Sequence, residues 1–170
     1  MKKGFSLIET LVVIALFAII ATVVSRSTTV SLLGSRKSDA STKVRENLNI
    51  AVGVIERQLR SAQKITSACD GSSLNFIDYT DQYGQSTNFT CNPNPDCSSG
   101  TNTYVSSGST STRITSPDTI CITACQFSCS IPGDNLPPSV SVAIEGRSKD
   151  VSGVEDTSVR LETGVSLRAY

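Results

Sequence analysis

The sequence predicts an α+β chain with one long N-terminal α-helix and an antiparallel β-rich head packed on the helix's second half. Three observations carry this. Residues Phe5 to Val24 form an apolar run broken by one strong charge, Glu9. Past it, apolar residues recur at helical spacing from Val44 to Ala62. From Ile65 onward, helix formers give way to Ser, Thr, Asn, Gly and segments of period two.

The apolar run is 20 residues long, roughly 30 Å at ~1.5 Å per residue, which is one hydrocarbon thickness. Lys2 and Lys3 precede it, so the excess of cationic residues keeps the N-terminus cytoplasmic and sends the rest of the chain outward. An ordinary secretory signal has a shorter apolar region and a small-x-small cleavage site. The segment after Val24, SRSTTVSLLG, has no good site of that kind. Glu9 is the unusual residue. A carboxylate at the centre of a membrane helix costs about 2.5–3.5 kcal/mol on insertion scales. This helix offers it no internal partner, so its natural counter-charge lies on another subunit.

Gly4-Phe5-Ser6-Leu7-Ile8-Glu9-Thr10 followed by an apolar helix resembles the N-terminus of the type IV pilin and pseudopilin superfamily. That resemblance implies a pilin-like fold and a leader of residues 1–4, removed after Gly4 by a prepilin peptidase that also methylates the new amino terminus at Phe5. It further implies that Glu9 pairs with the amino terminus of a neighbouring subunit. Many major pilins of the family carry a proline just past the membrane, whereas residues 5–92 here contain none. Local melting during assembly would then fall to Gly34 and to Ser25–Ser31, both poor helix material. Ala15, Ala18 and Ala21 recur at every third position, which permits close helix approach and equally matches ordinary membrane-helix composition.

The second part of the helix, residues 25–64, places Val44, Leu48, Ala51 with Val52, Ile55, Leu59 and Ala62 on one stripe. Asp39–Lys43 and Glu56–Arg60 stand in the favourable acid-before-base order at i, i+4. One helix is therefore expected from about Phe5 to Lys64, weakened at Gly34 and Gly53.

The head, residues 65–170, is expected to place strands at Ser73–Thr80, Thr87–Cys91, Ser139–Gly146 and Ser158–Ala169, with turns at Asp70-Gly71, Tyr83-Gly84 and Pro132-Gly133. In the last strand Val159, Leu161 and Val165 face one side and Arg160, Glu162 and Ser166 the other, as expected for a strand lying on the helix stripe. Residues 92–118 form the most loop-like tract, a solvated hairpin or an adhesive, glycosylated surface. Asn88-Phe89-Thr90 matches an N-glycosylation triplet. Aspartates such as Asp118 and Asp134 could hold calcium in a loop, yet no D-x-D-x-D-G run is present.

Six cysteines, Cys69, Cys91, Cys97, Cys121, Cys125 and Cys129, all lie in the head. An even number in an exported domain predicts disulfides, with about 15 pairings left open. A zinc site is disfavoured because the chain has no histidine and its cysteines lack ribbon spacing. The missing histidine also removes Ser-His-Asp and Cys-His machinery, and no phosphate-binding glycine loop is present. Neither a catalytic role nor a cofactor is expected. The net charge of zero hides an asymmetry. The helix is basic between Arg36 and Lys64, and the head is acidic, which argues against nucleic-acid binding by the head. Basic stalks meeting acidic heads of neighbours is one reading of this division, and two independently solvated faces is the other.

The expected function is a minor pilin or pseudopilin, assembled through its N-terminal helix into a pilus, a secretion pseudopilus or a competence filament. The alternatives are a pilin-anchored adhesin and the major subunit. The implied partners are other pilin subunits, the prepilin peptidase, an inner-membrane assembly platform and the lipid bilayer. The implied location is the inner membrane with the head outside, and a filament after assembly.

Overall fold

The computed structural model describes residues 6–97, 102–108, 110–131, 137–149 and 157–167. A single helix, α1 (Leu7–Ser61), runs for 55 residues. Its inward stripe is the one the spacing predicts, with Ala40, Val44, Leu48, Ala51, Ile55 and Leu59 buried. The helix stops three residues before the expected Lys64. Ala62 turns extended at the C-cap, and its N–H bonds the Leu59 carbonyl. Lys64 then enters a strand.

Among the described residues nine strands follow, all paired antiparallel: β1 (Lys64–Ile65), β2 (Asp70–Leu74), β3 (Phe76–Thr80), β4 (Ser86–Asn92), β5 (Tyr104–Ser107), β6 (Thr112–Arg113), β7 (Ile120–Ser130), β8 (Ser139–Ser148) and β9 (Ser158–Ser166). They form two sheets, β1-β3-β4-β5-β6 and β2-β7-β8-β9, where the sequence suggested one. The reason sits at Asn75. The expected strand Ser73–Thr80 breaks there, and the chain leaves the sheet of β7 for the sheet of β4. Such a bend is how one chain builds a corner between two sheets. The Asp70-Gly71 turn is likewise an irregularity at the start of β2, where the register shifts between Asp70 and Ser73. Tyr83-Gly84 is a turn as expected. Asp81 accepts the Tyr83 and Gln85 N–H groups at 2.8 Å each, and Gly84 takes φ +80°, which glycine adopts without Cβ strain.

β7 is the longest strand and was not expected. Its burial phase changes part-way: Ile120 and Ile122 face inward, then Cys125, Phe127 and Cys129 do. A register shift between Ile122 and Ala124 accounts for this, since one extra residue moves every later side chain to the other face. The tract 92–118 also contains more structure than a loop. β5 and β6 form a hairpin on β4, Val105 N–H donates to the Thr115 hydroxyl at 3.0 Å, and Ile122 N–H donates to the Thr103 hydroxyl at 2.9 Å. Pro132-Gly133, Asp134 and the last residues of the expected strand, 168 and 169, lie outside the described residues.

β8 and β9 lie on α1, and the helix stripe, both sheets and their aromatic residues enclose one core. Tyr79 stacks on Phe89 at 5.4 Å and Phe89 on Phe127 at 6.5 Å, so the aromatic column crosses from one sheet to the other. The Thr163 hydroxyl donates to Glu56, fixing β9 to the helix. The Glu56–Arg60 pair forms at 3.9 Å. Gly146 of β8 is tightly enclosed between β7 and the helix. A Cβ there would stand 3.0 Å from the Cys121 carbonyl oxygen and 3.6 Å from Leu48 Cδ2.

Leu48→Ala is therefore expected to cost the head about 2–5 kcal/mol, and Gly146→Val about 1–3 kcal/mol by overpacking; thermal unfolding of the detergent-solubilised chain measures both. Tyr79, 2 % exposed, donates its hydroxyl to Gln58 Oε1 at 2.7 Å. Burial raises its pKa above 10.0, and the charge of Asp81 adds to this against the opposing hydrogen bonds of Thr87 and Ser107. The unfolded chain then loses this proton at lower pH than the folded one, so stability falls as pH rises past about 10. Denaturant midpoints followed from neutral to alkaline pH should show that fall, and Tyr79→Phe should make it shallower.

Candidate functional site

The first half of α1 stands free of the head. From Leu7 to Asp39 every residue of α1 is exposed, and the segment is long and apolar enough to cross a membrane by length and composition. Phe17 is 73 % exposed and Leu7 77 %. An apolar surface of this size on all sides of a helix belongs in lipid or against other apolar helices. Its hydroxyls do not spoil it. Thr22 donates to the Ile19 carbonyl at 2.8 Å, Ser25 to Ala21 at 2.8 Å, Thr28 to Val24 at 2.6 Å and Thr29 to Ser25 at 3.0 Å. Each is satisfied within the helix, and Ser25–Ser31 is helical despite its composition. Gly34 is helical too, with nothing within 4 Å of where a Cβ would be.

Glu9 lies in the first turn of α1 and is exposed. Ser6 occupies the N-cap with extended backbone, and its carbonyl accepts the Glu9 N–H at 3.0 Å. A carboxylate in the first turn is favoured by the helix dipole. The nearest cationic side chain further along the helix is Arg26, about 25 Å away at ~1.5 Å per residue. The chain's own helix therefore brings Glu9 no counter-charge from its C-terminal side. Gly4 and Phe5, the expected cleavage and methylation positions, lie outside the described residues. Ala15, Ala18 and Ala21 are all exposed along the helix.

The six cysteines, by contrast, are brought together in full. The structure pairs Cys69 with Cys129, Cys91 with Cys125 and Cys97 with Cys121. Every bridge ends on β7. One joins it to the segment entering β2, one crosses the core to β4, and one holds the connector after β4. That connector is further fixed by Asn94 N–H to the Ile122 carbonyl at 2.9 Å and by Arg147 to the Asp96 carbonyl at 2.8 Å. Sequence reasoning missed β7 as the common anchor. The alternation Cys125, Phe127, Cys129 was the available clue.

A family model described as the prokaryotic N-terminal methylation motif matches residues 1–25. That motif at residues 1–25 supports kinship with the type IV pilins and pseudopilins. No curated protein and no solved structure matches the chain. The layout of this pilin-like chain, one long helix followed by antiparallel sheets, agrees with the motif at its start. Its apolar helix and the motif are together consistent with membrane anchoring.

Because Glu9 is the only charge between Phe5 and Val24, Glu9→Leu is expected to leave the pilin-like chain at least as firmly membrane-bound as the parent; alkaline extraction of membranes measures this, and release of the variant would contradict it.

Proposed function

We propose that this chain is a minor pilin or pseudopilin, a low-abundance structural subunit that enters a filament through its N-terminal helix. The observation that supports it most is the pairing of the methylation motif with a fully exposed apolar helix bearing one carboxylate in its first turn. In this reading the peptidase cuts after Gly4 and methylates Phe5, and the exposed helix is held first by lipid and then by neighbouring helices. A neighbour staggered along the filament axis sets its Phe5 amine against Glu9. Charge pairing fixes register, because an unpaired carboxylate in apolar surroundings is costly, while side-chain packing along the helix supplies affinity.

The minor assignment rests on the head and on the missing proline. No proline interrupts residues 5–92, and α1 runs unbroken from Leu7 to Ser61. The head projects outward on a basic helix, with Arg45, Arg57 and Arg60 exposed. Those charges suit acidic heads of adjacent subunits. An adhesin role is the second reading, favoured by the Ser- and Thr-rich hairpin of β5 and β6.

Mass spectrometry of filaments sheared from cells tests the assignment. A methylated Phe5 N-terminal peptide at a small fraction of the dominant subunit is the expected result. Comparable abundance would make the chain a major subunit, and an intact Met1 found only in membranes would refute the filament reading. In the same preparation Glu9→Leu should be depleted at least tenfold relative to the parent, and unchanged incorporation would remove the charge-pairing argument.

A further inference from the structure

We infer that the head reaches its native bridges by way of a thiol–disulfide isomerase, a dithiol exchange catalyst in the compartment that receives it. The bridges are concentric in sequence: Cys97–Cys121 spans 24 residues, Cys91–Cys125 spans 34 around it, and Cys69–Cys129 spans 60 around both. The first three cysteines therefore have no native partner among themselves. Every correct partner lies on β7, between Cys121 and Cys129. If the head is exported N-terminal end first, as the functional reading requires, three thiols are exposed to oxidant before any proper partner has emerged.

Short loops close first. Cys91 and Cys97 are separated only by Asn92-Pro93-Asn94-Pro95-Asp96, and Cys121, Cys125 and Cys129 follow one another at intervals of four. In an unfolded chain these near pairs lose less closure entropy than loops of 24 to 60 residues do. Within native β7, Cys121, Cys125 and Cys129 are out of reach of one another. Four residues of extended chain span roughly 13 Å, far beyond the Cα separation of a disulfide. Folding does not pre-align the correct thiols either. β7 is an inner strand of its sheet and supplies Ile120, Ile122 and Phe127 to the shared core, so Cys125 meets Cys91 of the other sheet only when the sheets close, and Cys129 meets Cys69 only when β2 pairs with β7. Pairing between strands so distant in sequence is slow. Once it is complete, Cys91, Cys121, Cys125 and Cys129 are at most 5 % exposed, and exchange stops.

The exchange is balanced without net oxidation. A catalyst thiolate attacks one sulfur of a wrong bridge, for example Cys91–Cys97, forming a mixed disulfide with Cys91 and releasing the Cys97 thiolate. The Cys125 thiolate then attacks the Cys91 sulfur, the Cys91–Cys125 bond forms, and the catalyst thiolate leaves. The oxidising equivalents come beforehand from a disulfide oxidant of the same compartment, which is reduced to its dithiol.

The test uses the full chain in detergent, reduced and denatured, then returned to folding conditions with diamide alone or with diamide followed by reduced protein disulfide isomerase. Bridged peptides are mapped by mass spectrometry without reduction. Diamide alone should leave the concentric set in a minority of molecules, near the one in about 15 of unguided pairing, and the isomerase should raise it roughly tenfold. A chain keeping only Cys91 and Cys125, made by Cys69→Ser, Cys97→Ser, Cys121→Ser and Cys129→Ser, has no wrong partner and should oxidise equally in both arms. Predominantly concentric bridges with diamide alone would overturn the inference. So would a different final connectivity, or an equal enzyme benefit in the two-cysteine chain. None of these outcomes depends on whether the chain enters a filament.

Discussion

One unbroken helix has to satisfy two different surroundings, and the rest of the structure is arranged around that requirement. Below Ala40 the helix buries a single stripe against β8, β9 and the shared core, and leaves its other faces to water. Above Ala40 no residue of it is buried. Yet the stripe does not stop at the boundary. Leu33 and Lys37 continue the same three- and four-residue steps that lead through Ala40, Val44, Leu48, Ala51, Ile55 and Leu59. The helix keeps its phase while its neighbours change from sheet to whatever covers the upper half. Each fully buried Val, Leu or Ile contributes about 1.5–3 kcal/mol, so the lower stripe is sufficient to hold the head against the helix without any hinge between them.

A head with few aromatic residues and long Ser- and Thr-rich stretches has little apolar mass with which to unite two sheets. β7 answers this with position as well as composition. Its bulge lets Ile120 and Ile122 face the core at one end and Cys125, Phe127 and Cys129 at the other. Phe127 ends the aromatic column that begins at Tyr79 in the opposite sheet. Three bridges then tie this one strand to segments that precede it by 24 to 60 residues. In a small exported domain each such bridge typically adds about 2–5 kcal/mol, and here Cys91, Cys125 and Cys129 are themselves part of the buried core.

The helix and its stripe were legible in the sequence because helical periodicity over many turns is a strong pattern, and because the methylation motif is local and specific. β8 and β9 were legible for a related reason: Val140, Val142 and Ile144, and Val159 and Val165, recur at period two, with small or polar residues between them in β8 and Arg160, Glu162 and Gly164 on the other face of β9. β7 was not, since its alternation is carried by cysteines and reverses phase at the bulge. The division into two sheets was hidden as well. Nothing about Asn75 in isolation distinguishes a bend between sheets from a residue in mid-strand, and only the partners of β2 and β3 reveal it. Of the candidate site, the isolation of Glu9 among apolar residues was readable from the sequence, and the structure places it exposed in the first turn of α1. The cysteine pairing was not, because connectivity is a property of tertiary approach and not of spacing.

Rigidity links these parts to assembly. Between Glu9 and Ala40 the helix rises about 47 Å at ~1.5 Å per residue, and no proline interrupts it. A carboxylate fixed in the first turn is thus held at a set height and azimuth relative to the head. For charge pairing to specify register, that relation has to survive the transfer from lipid to filament; a limp connection would let any head orientation accompany the same pair. The weakest point is Gly34, which costs up to about 1 kcal/mol relative to alanine and is contacted by nothing. Just before it, the hydroxyls of Thr28 and Thr29 bond back to the helix carbonyls, a pattern that slightly loosens and bends helices. The softest stretch of the helix therefore lies between the apolar run and the head, and the helix still runs unbroken through it from Leu7 to Ser61.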